Sequence, residues 1–247
     1  MKCKNKIALV TGGAGNGIGR STALTLAREG AVVFINYRRS RENAEKTADY
    51  INNNEGKASI IQADIFNRDE CKKMVDRIIT ECGKLDICII GPGAGWNCEQ
   101  IDKLDPGLSL KDIENEILPV YNLFPLILPH MYRNKWGRII GLVSNPDLPS
   151  PSYSYNVAKG CRTEALLKGY KEAWNSGVTM NLIAPGPVNG IENFDEAVTL
   201  STDKNSGIER DNITCQDIAE GILFLCSNDG RFVSGNVLKY MFNWNKK

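Results

Sequence analysis

Five short runs of this chain are apolar almost from end to end: IALV, VVFIN, ICII, RIIGLV and VTMNLI. A strand with one wet face alternates apolar and polar residues, so runs like these must be covered on both sides, as in a parallel sheet between two layers of helices. That requirement organises everything else. The pattern predicts strands at 6–11, 31–36, 57–63, 85–90, 138–143, 178–183 and 237–242. Between them fall helices at 20–29, 41–53, 67–81, 110–134 and 215–226, and one from Tyr153 to Trp174 that carries Tyr155. Strands alternating with helices imply a doubly wound α/β domain with a mostly parallel sheet of seven strands. No composition break or repeat divides the 247 residues, so one domain over 1–247 is expected, with the polar stretch 189–212 as its mobile piece. The helix at 110–134 holds Pro119, Pro125 and Pro129, which remove backbone donors and should bend it.

Composition excludes several classes of function. Lys plus Arg number 30 against 29 Asp plus Glu, a net charge of +1, so no global field draws the chain to nucleic acid or an acidic membrane. The apolar region 117–131 is broken by its prolines and by Asn122, and the amino terminus is apolar over too few residues for a signal peptide. The eight cysteines show no C-x-x-C pair, and His130 is the sole histidine, so no metal site is expected. Most of those cysteines lie in apolar or amphipathic runs, which fits reduced thiols and a cytoplasmic location.

Two stretches carry chemistry. After the first strand, GGAGNGIG opens a helix; Gly12, Gly17 and Gly19 would let the backbone approach a pyrophosphate, whose charge suits free N–H groups at a helix start. In such a sheet a ligand lies outside the carboxyl ends of the strands. At the end of the second strand a dinucleotide site would meet the adenosine ribose, and the chain offers Asn36, Tyr37, Arg38 and Arg39 with no acid. Arginine suits a 2′-phosphate, so the reading leans to NADP through Arg38, with Arg39 second; NAD stays open. The other stretch runs from Ser144 to Lys159. Tyr155 and Lys159 are four apart on a helix, hence one turn apart on one face. An ammonium beside a phenol favours the phenolate and so equips a tyrosine for acid–base work. Ser144 ends an apolar strand, where a hydroxyl can hold a substrate oxygen or, more simply, cap a turn.

In order and spacing these motifs resemble the short-chain dehydrogenase/reductase family over nearly the whole chain. Thr11 to Gly19 is similar to its T-G-x3-G-x-G loop, Asp64 to its adenine-contacting aspartate, Pro185 and Gly186 to its P-G motif, and Ser144, Tyr155 and Lys159 to its serine and Y-x-x-x-K. The resemblance implies a Rossmann-type fold and hydride transfer between a nicotinamide and a carbonyl or alcohol. Tyr155 would act as acid or base, Ser144 would bond the same oxygen, and Lys159 would lower the Tyr155 pKa and hold the ribose. The implied cofactor contacts are Gly12, Asn16, Gly17, Ile18, Gly19, Arg38, Asp64, Ile65, Gly91, Tyr155, Lys159, Pro185, Gly186 and Val188. The family also implies a small-molecule substrate, a lid at 189–212, and a homo-oligomer, dimer or tetramer, built through the helices at 110–134 and 153–174. Trp96, Leu148, Tyr153 and Val188 are candidates for the substrate wall.

The chain departs from the family pattern at several points. Its glycine loop is one residue longer, and Ile90, Gly91, Pro92 and Gly93 replace N-N-A-G. The family's relay asparagine falls on Glu116, with Asn115 beside it, Gly190 replaces a threonine, and Ser144 to Tyr155 is two residues short. These departures admit other readings: a nucleotide-binding sensor or partner with lost catalysis, or an isomerase or dehydratase using the same tyrosine.

Overall fold

The computed structural model describes residues 1–93, 99–144, 153–186, 188–202 and 213–240. The chain alternates as β1 (Ile7–Val10), α1 (Ile18–Arg28), β2 (Val32–Tyr37), α2 (Arg41–Asn53), β3 (Lys57–Gln62), α3 (Arg68–Cys82) and β4 (Ile87–Ile90). It continues with α4 (Pro106–Arg133), β5 (Gly137–Leu142), α5 (Tyr153–Leu167), α6 (Tyr170–Asn175), β6 (Val178–Ala184), β7 (Val188–Asn189), α7 (Phe194–Thr202), β8 (Ile213–Thr214), α8 (Cys215–Cys226) and β9 (Val237–Lys239). Seven strands form one sheet in the order β3-β2-β1-β4-β5-β6-β9, every neighbouring pair parallel; β7 and β8 form a separate pair. The expected Rossmann-type architecture is what the chain adopts.

The all-apolar strands are explained by the two cores they feed. Ala8 and Val10 of β1 face a cluster with Ala23, Leu24 and Ala27 of α1, Ala44 and Ala48 of α2, and Ile218 and Ile222 of α8. Ile7 and Leu9 face the opposite cluster, with Met74 and Ile78 of α3 and Val120, Leu123 and Ile127 of α4. Burying one such side chain stabilises the fold by roughly 1.5–3 kcal/mol, and neither face could be given up to solvent.

Three boundaries differ from expectation. Helix α4 starts earlier, at Pro106, because Asp105 caps it: its Oδ1 accepts from the Gly107 and Leu108 N–H groups at 2.7 and 3.0 Å. Its three internal prolines leave it an uninterrupted element of 28 residues. The helix expected over 153–174 is two helices, parted at Lys168 and Gly169, glycine being a poor helix former. The stretch 189–212, expected to be a polar excursion, contains helix α7 and the end of β7; positions 203–212 lie outside the described residues.

In a parallel sheet all carboxyl ends share one edge. That edge receives Gly12 after β1, Arg38 after β2, Asp64 after β3, Gly91 after β4, Ser144 after β5 and Pro185 after β6. The strand order reverses between β1 and β4, the position at which doubly wound sheets open a crevice.

Candidate active site

The glycine loop is built by its neighbours. Gly12 has φ +64°, a conformation costly for other residues, and a Cβ there would also run into the Pro92 ring. The loop after β4 thus leans on the loop after β1. Asn36, at the end of β2, is buried with its side chain bonded within the fold; its Oδ1 accepts from Gly12 N–H at 3.3 Å and its Nδ2 donates to Ala63 O at 3.0 Å. Thr11 Oγ1 donates to Ile89 O at 2.9 Å and accepts from Gly91 N–H at 3.0 Å. Two polar side chains therefore hold four strand ends together, those of β1, β2, β3 and β4. Helix α1 then starts at Ile18 from Gly17, with no side-chain cap and no acid in its first turn, so its leading N–H groups and dipole suit an anion.

Arg38 and Asp64, expected at the adenosine end, are paired with each other: Nη1 lies 3.5 Å from Oδ2, both side chains being partly exposed. Asp64 Oδ1 also accepts from Phe66 N–H at 3.1 Å, and Ile65 behind it is buried. Pro185 and Gly186 follow β6, and Val188 opens β7; all are half-buried. Gly190 is exposed.

Ser144 lies two residues beyond β5 and is half-buried. Tyr155 and Lys159 share one face of α5, with Lys159 Nζ 5.5 Å from the Tyr155 ring centroid. The ammonium does not stand alone. Its Nζ is 2.6 Å from Glu116 Oε1, and Glu116 Oε2 in turn lies 3.3 Å from Arg162 Nη1. Glu116 and Arg162 are almost wholly buried, whereas Lys159 keeps 14% of its side chain exposed. Of the two residues at the relay position, Glu116 is the one that reaches the site; a Cβ on Gly93 would collide with its carboxylate. Burial pulls the Lys159 pKa down from its ordinary value, opposed by the attraction of Glu116. Arg162 is lowered for the same reason against the same partner.

Arg162 was not singled out by sequence. It donates from Nη1 to Pro92 O at 2.8 Å and Glu116 O at 3.2 Å, and from Nη2 to Ile90 O at 2.8 Å and Gly91 O at 3.3 Å. One guanidinium thus supports the loop in which Ile-Gly-Pro-Gly replaces the asparagines of the family pattern. An arginine two turns after a tyrosine on an amphipathic helix has no distinctive spacing, and only its later placement against a buried glutamate marks it.

Trp96 and Leu148, candidates for the substrate wall, lie outside the described residues; Tyr153 is exposed at the start of α5. Among the described residues no group of three metal-ligating side chains gathers, and no helix is long and apolar enough to cross a membrane.

A family model for short chain dehydrogenases matches residues 6–197. The chain belongs to the short-chain dehydrogenase/reductase family. It is 30% identical over 247 residues to the 3-oxoacyl-[acyl-carrier-protein] reductase FabG of Staphylococcus epidermidis, covering 95% of this chain and 96% of that one. It is 31% identical over 255 residues to a short chain dehydrogenase of Claviceps purpurea, with 94% and 93% covered. Among solved structures, a 7 alpha-hydroxysteroid dehydrogenase complexed with NADH and 7-oxo glycochenodeoxycholic acid superposes with a TM-score of 0.82 at 26% identity, over 97% of this chain and 94% of that one. The chain is thus an oxidoreductase by family.

Proposed function

We propose that this family member is an NADP-linked reductase that passes a hydride to a carbonyl, or takes one from the alcohol, with Tyr155 as the proton donor or acceptor. The observation that carries the reading is the pairing of Tyr155 with the Lys159 ammonium at the sheet edge that also holds the glycine loop. The residues present fit a dinucleotide. Gly12, Asn16, Gly17, Ile18 and Gly19 would surround the pyrophosphate, and the uncapped start of α1 supplies its donors. Asp64, Ile65 and Gly91 would line the adenosine side, and Pro185, Gly186 and Val188 the nicotinamide side. Arg38, half exposed and held by one long ion pair, would meet the 2′-phosphate. When bound, the cofactor supplies the hydride. Tyr155 gives its proton to the carbonyl oxygen, Ser144 holds that oxygen by a hydrogen bond, and Lys159 stabilises the phenolate left behind. Positions 189–212 would close over a small-molecule substrate. Apolar side chains on the outer faces of α4 and α5 would join copies into a dimer or tetramer of a cytoplasmic enzyme.

Oxidation of NADPH followed by absorbance against a panel of ketones and quinones tests the reading. Turnover is expected, and Tyr155→Phe should lower it about 10²- to 10⁴-fold, the worth of a positioned proton donor. Arg38→Asp should shift preference from NADPH toward NADH; an unchanged ratio would remove Arg38 from the 2′-phosphate site. A second reading is favoured by the hold of Glu116 on Lys159: a nucleotide-binding protein with altered chemistry. Tight cofactor binding with no substrate of the panel reduced would select it.

A further inference from the structure

Three charges of the candidate site sit in one buried chain, and their sum matters more than any one of them. Lys159 contributes +1 and Glu116, 2.6 Å away, contributes −1. Left as a pair they would cancel, and Tyr155 would sit beside a neutral unit unable to favour its phenolate. Arg162, on the other carboxylate oxygen at 3.3 Å and wholly buried, returns the sum to +1. We propose that Arg162 is a positioning residue that acts on Tyr155 through Glu116, engaging the carboxylate so that the Lys159–Glu116–Arg162 chain presents one net positive charge to the phenol.

The inference rests on the proposed role of Tyr155, but its physical content is independent of turnover. Among the described residues the charged groups packed about this point come from two helices. Helix α5 carries Lys159 and Arg162; α4 carries Glu116 and, one turn before it, the buried Asp112, which lies outside the three-charge chain and is common to every variant compared below, so that it drops out of the differences. The loop after β4, which supports the chain from below, offers only backbone carbonyls to Arg162 and no charge of its own at Gly91, Pro92 or Gly93. A buried carboxylate contacted by one ammonium alone would hold that ammonium at the cost of its effect elsewhere. With a second cation on its far oxygen, the carboxylate is shared, and Glu116 becomes a spacer that fixes the distance of Lys159 from Tyr155 rather than a sink for its charge.

The test varies the sum while keeping the shapes. The net charge of the chain is +1 in the wild type, 0 in Arg162→Met, +2 in Glu116→Gln, and +1 again in the double variant Glu116→Gln/Arg162→Met. Ionisation of Tyr155 in the protein without cofactor is followed by ultraviolet difference absorbance, each variant being read against the same variant carrying Tyr155→Phe. The expected order of apparent pKa is Arg162→Met highest, wild type and double variant together, and Glu116→Gln lowest, with steps on the order of one unit for a charge at this range. If Arg162 merely props the carbonyls of Ile90, Gly91 and Pro92, the double variant loses the prop as fully as Arg162→Met does and follows it, which overturns the proposal. So does a double variant that fails to fold while Glu116→Gln folds. If Arg162→Met alone fails to fold and the double variant folds with a wild-type Tyr155 titration, the proposal stands, since the unbalanced carboxylate is then what the fold does not tolerate. A protein that follows this order yet reduces no substrate would retire the reductase reading and leave the charge relation intact.

Discussion

At the scale of single residues, the polar groups that shape the site are mostly not the ones that would touch a ligand. Asn36 occupies the position where the adenosine ribose was expected to meet a side chain, and it is turned inward to hold Gly12 and Ala63 instead. Replacing it by Leu should leave a buried N–H and a carbonyl without partners, at a cost of about 1–3 kcal/mol. The midpoint of urea denaturation should fall accordingly, and nucleotide affinity should fall with it, because the glycine loop loses its anchor; an affinity unchanged in a destabilised protein would detach Asn36 from the site. The legibility of individual residues followed the range of their interactions. Tyr155 and Lys159 were readable because four-residue spacing on a helix is local. Glu116 stands out in the sequence as a departure from the family pattern, but its partner does not: Arg162 meets Glu116 across 46 residues and Ile90 across 72, and no local pattern records such a meeting.

At the scale of elements, the apolar runs place the five inner strands within a few positions, because burial on both faces leaves no other composition open to them, while the edge strands β3 and β9 are only partly covered and carry a mixed pattern. Ends were harder. The start of α4 is decided by one aspartate whose side chain replaces two missing backbone partners, and the break between α5 and α6 by a glycine in an otherwise helical pattern. Helix α4 also shows outward what its pattern alone left open: Leu110 and Tyr121, about three turns apart on one face, are 65% and 57% exposed. Tyr153, at the start of α5, adds a further exposed ring. If these helices join copies of the chain, light scattering should give two or four times the 27.3 kDa of one chain, and Leu110→Glu/Tyr121→Glu should return the mass to one. A wild-type mass of a single chain would dispose of that assembly.

At the scale of the whole molecule, the buried thiols set an alkaline limit. Burial raises Cys88 from its ordinary 9.0 to about 12, and Cys71 likewise to about 12; Cys3 and Cys215 reach about 11. Tyr240 is raised from 10.0 to about 12, also by burial. In each case the folded pKa lies above the unfolded one, so the unfolded chain gives up its proton first as pH rises. The stability these groups contribute is whole below pH 9 and is lost as pH climbs toward 12. Cys88, fully enclosed, should account for about 1.4 kcal/mol per pH unit in that window. Urea midpoints measured from pH 8 to 11 should hold to about pH 9 and then fall, and Cys88→Ala should flatten the fall; a midpoint flat from pH 9 to 11 would contradict the burial of these thiols.

The parallel sheet also imposes an order on how the site comes into being. β1 pairs with β2 through a short crossover, but it meets β4 only across a long one: Ile7 bonds Asp86 from 79 residues away, and Thr11 reaches Ile89 across 78. Closing such a loop precedes any reward for the contact, so pairings of this range form late. During synthesis the glycine loop leaves the ribosome early and waits, incomplete, until the second half of its crevice has been made. A nascent chain ending before β4 should therefore have the phosphate loop in its sequence and no site for a dinucleotide in its structure.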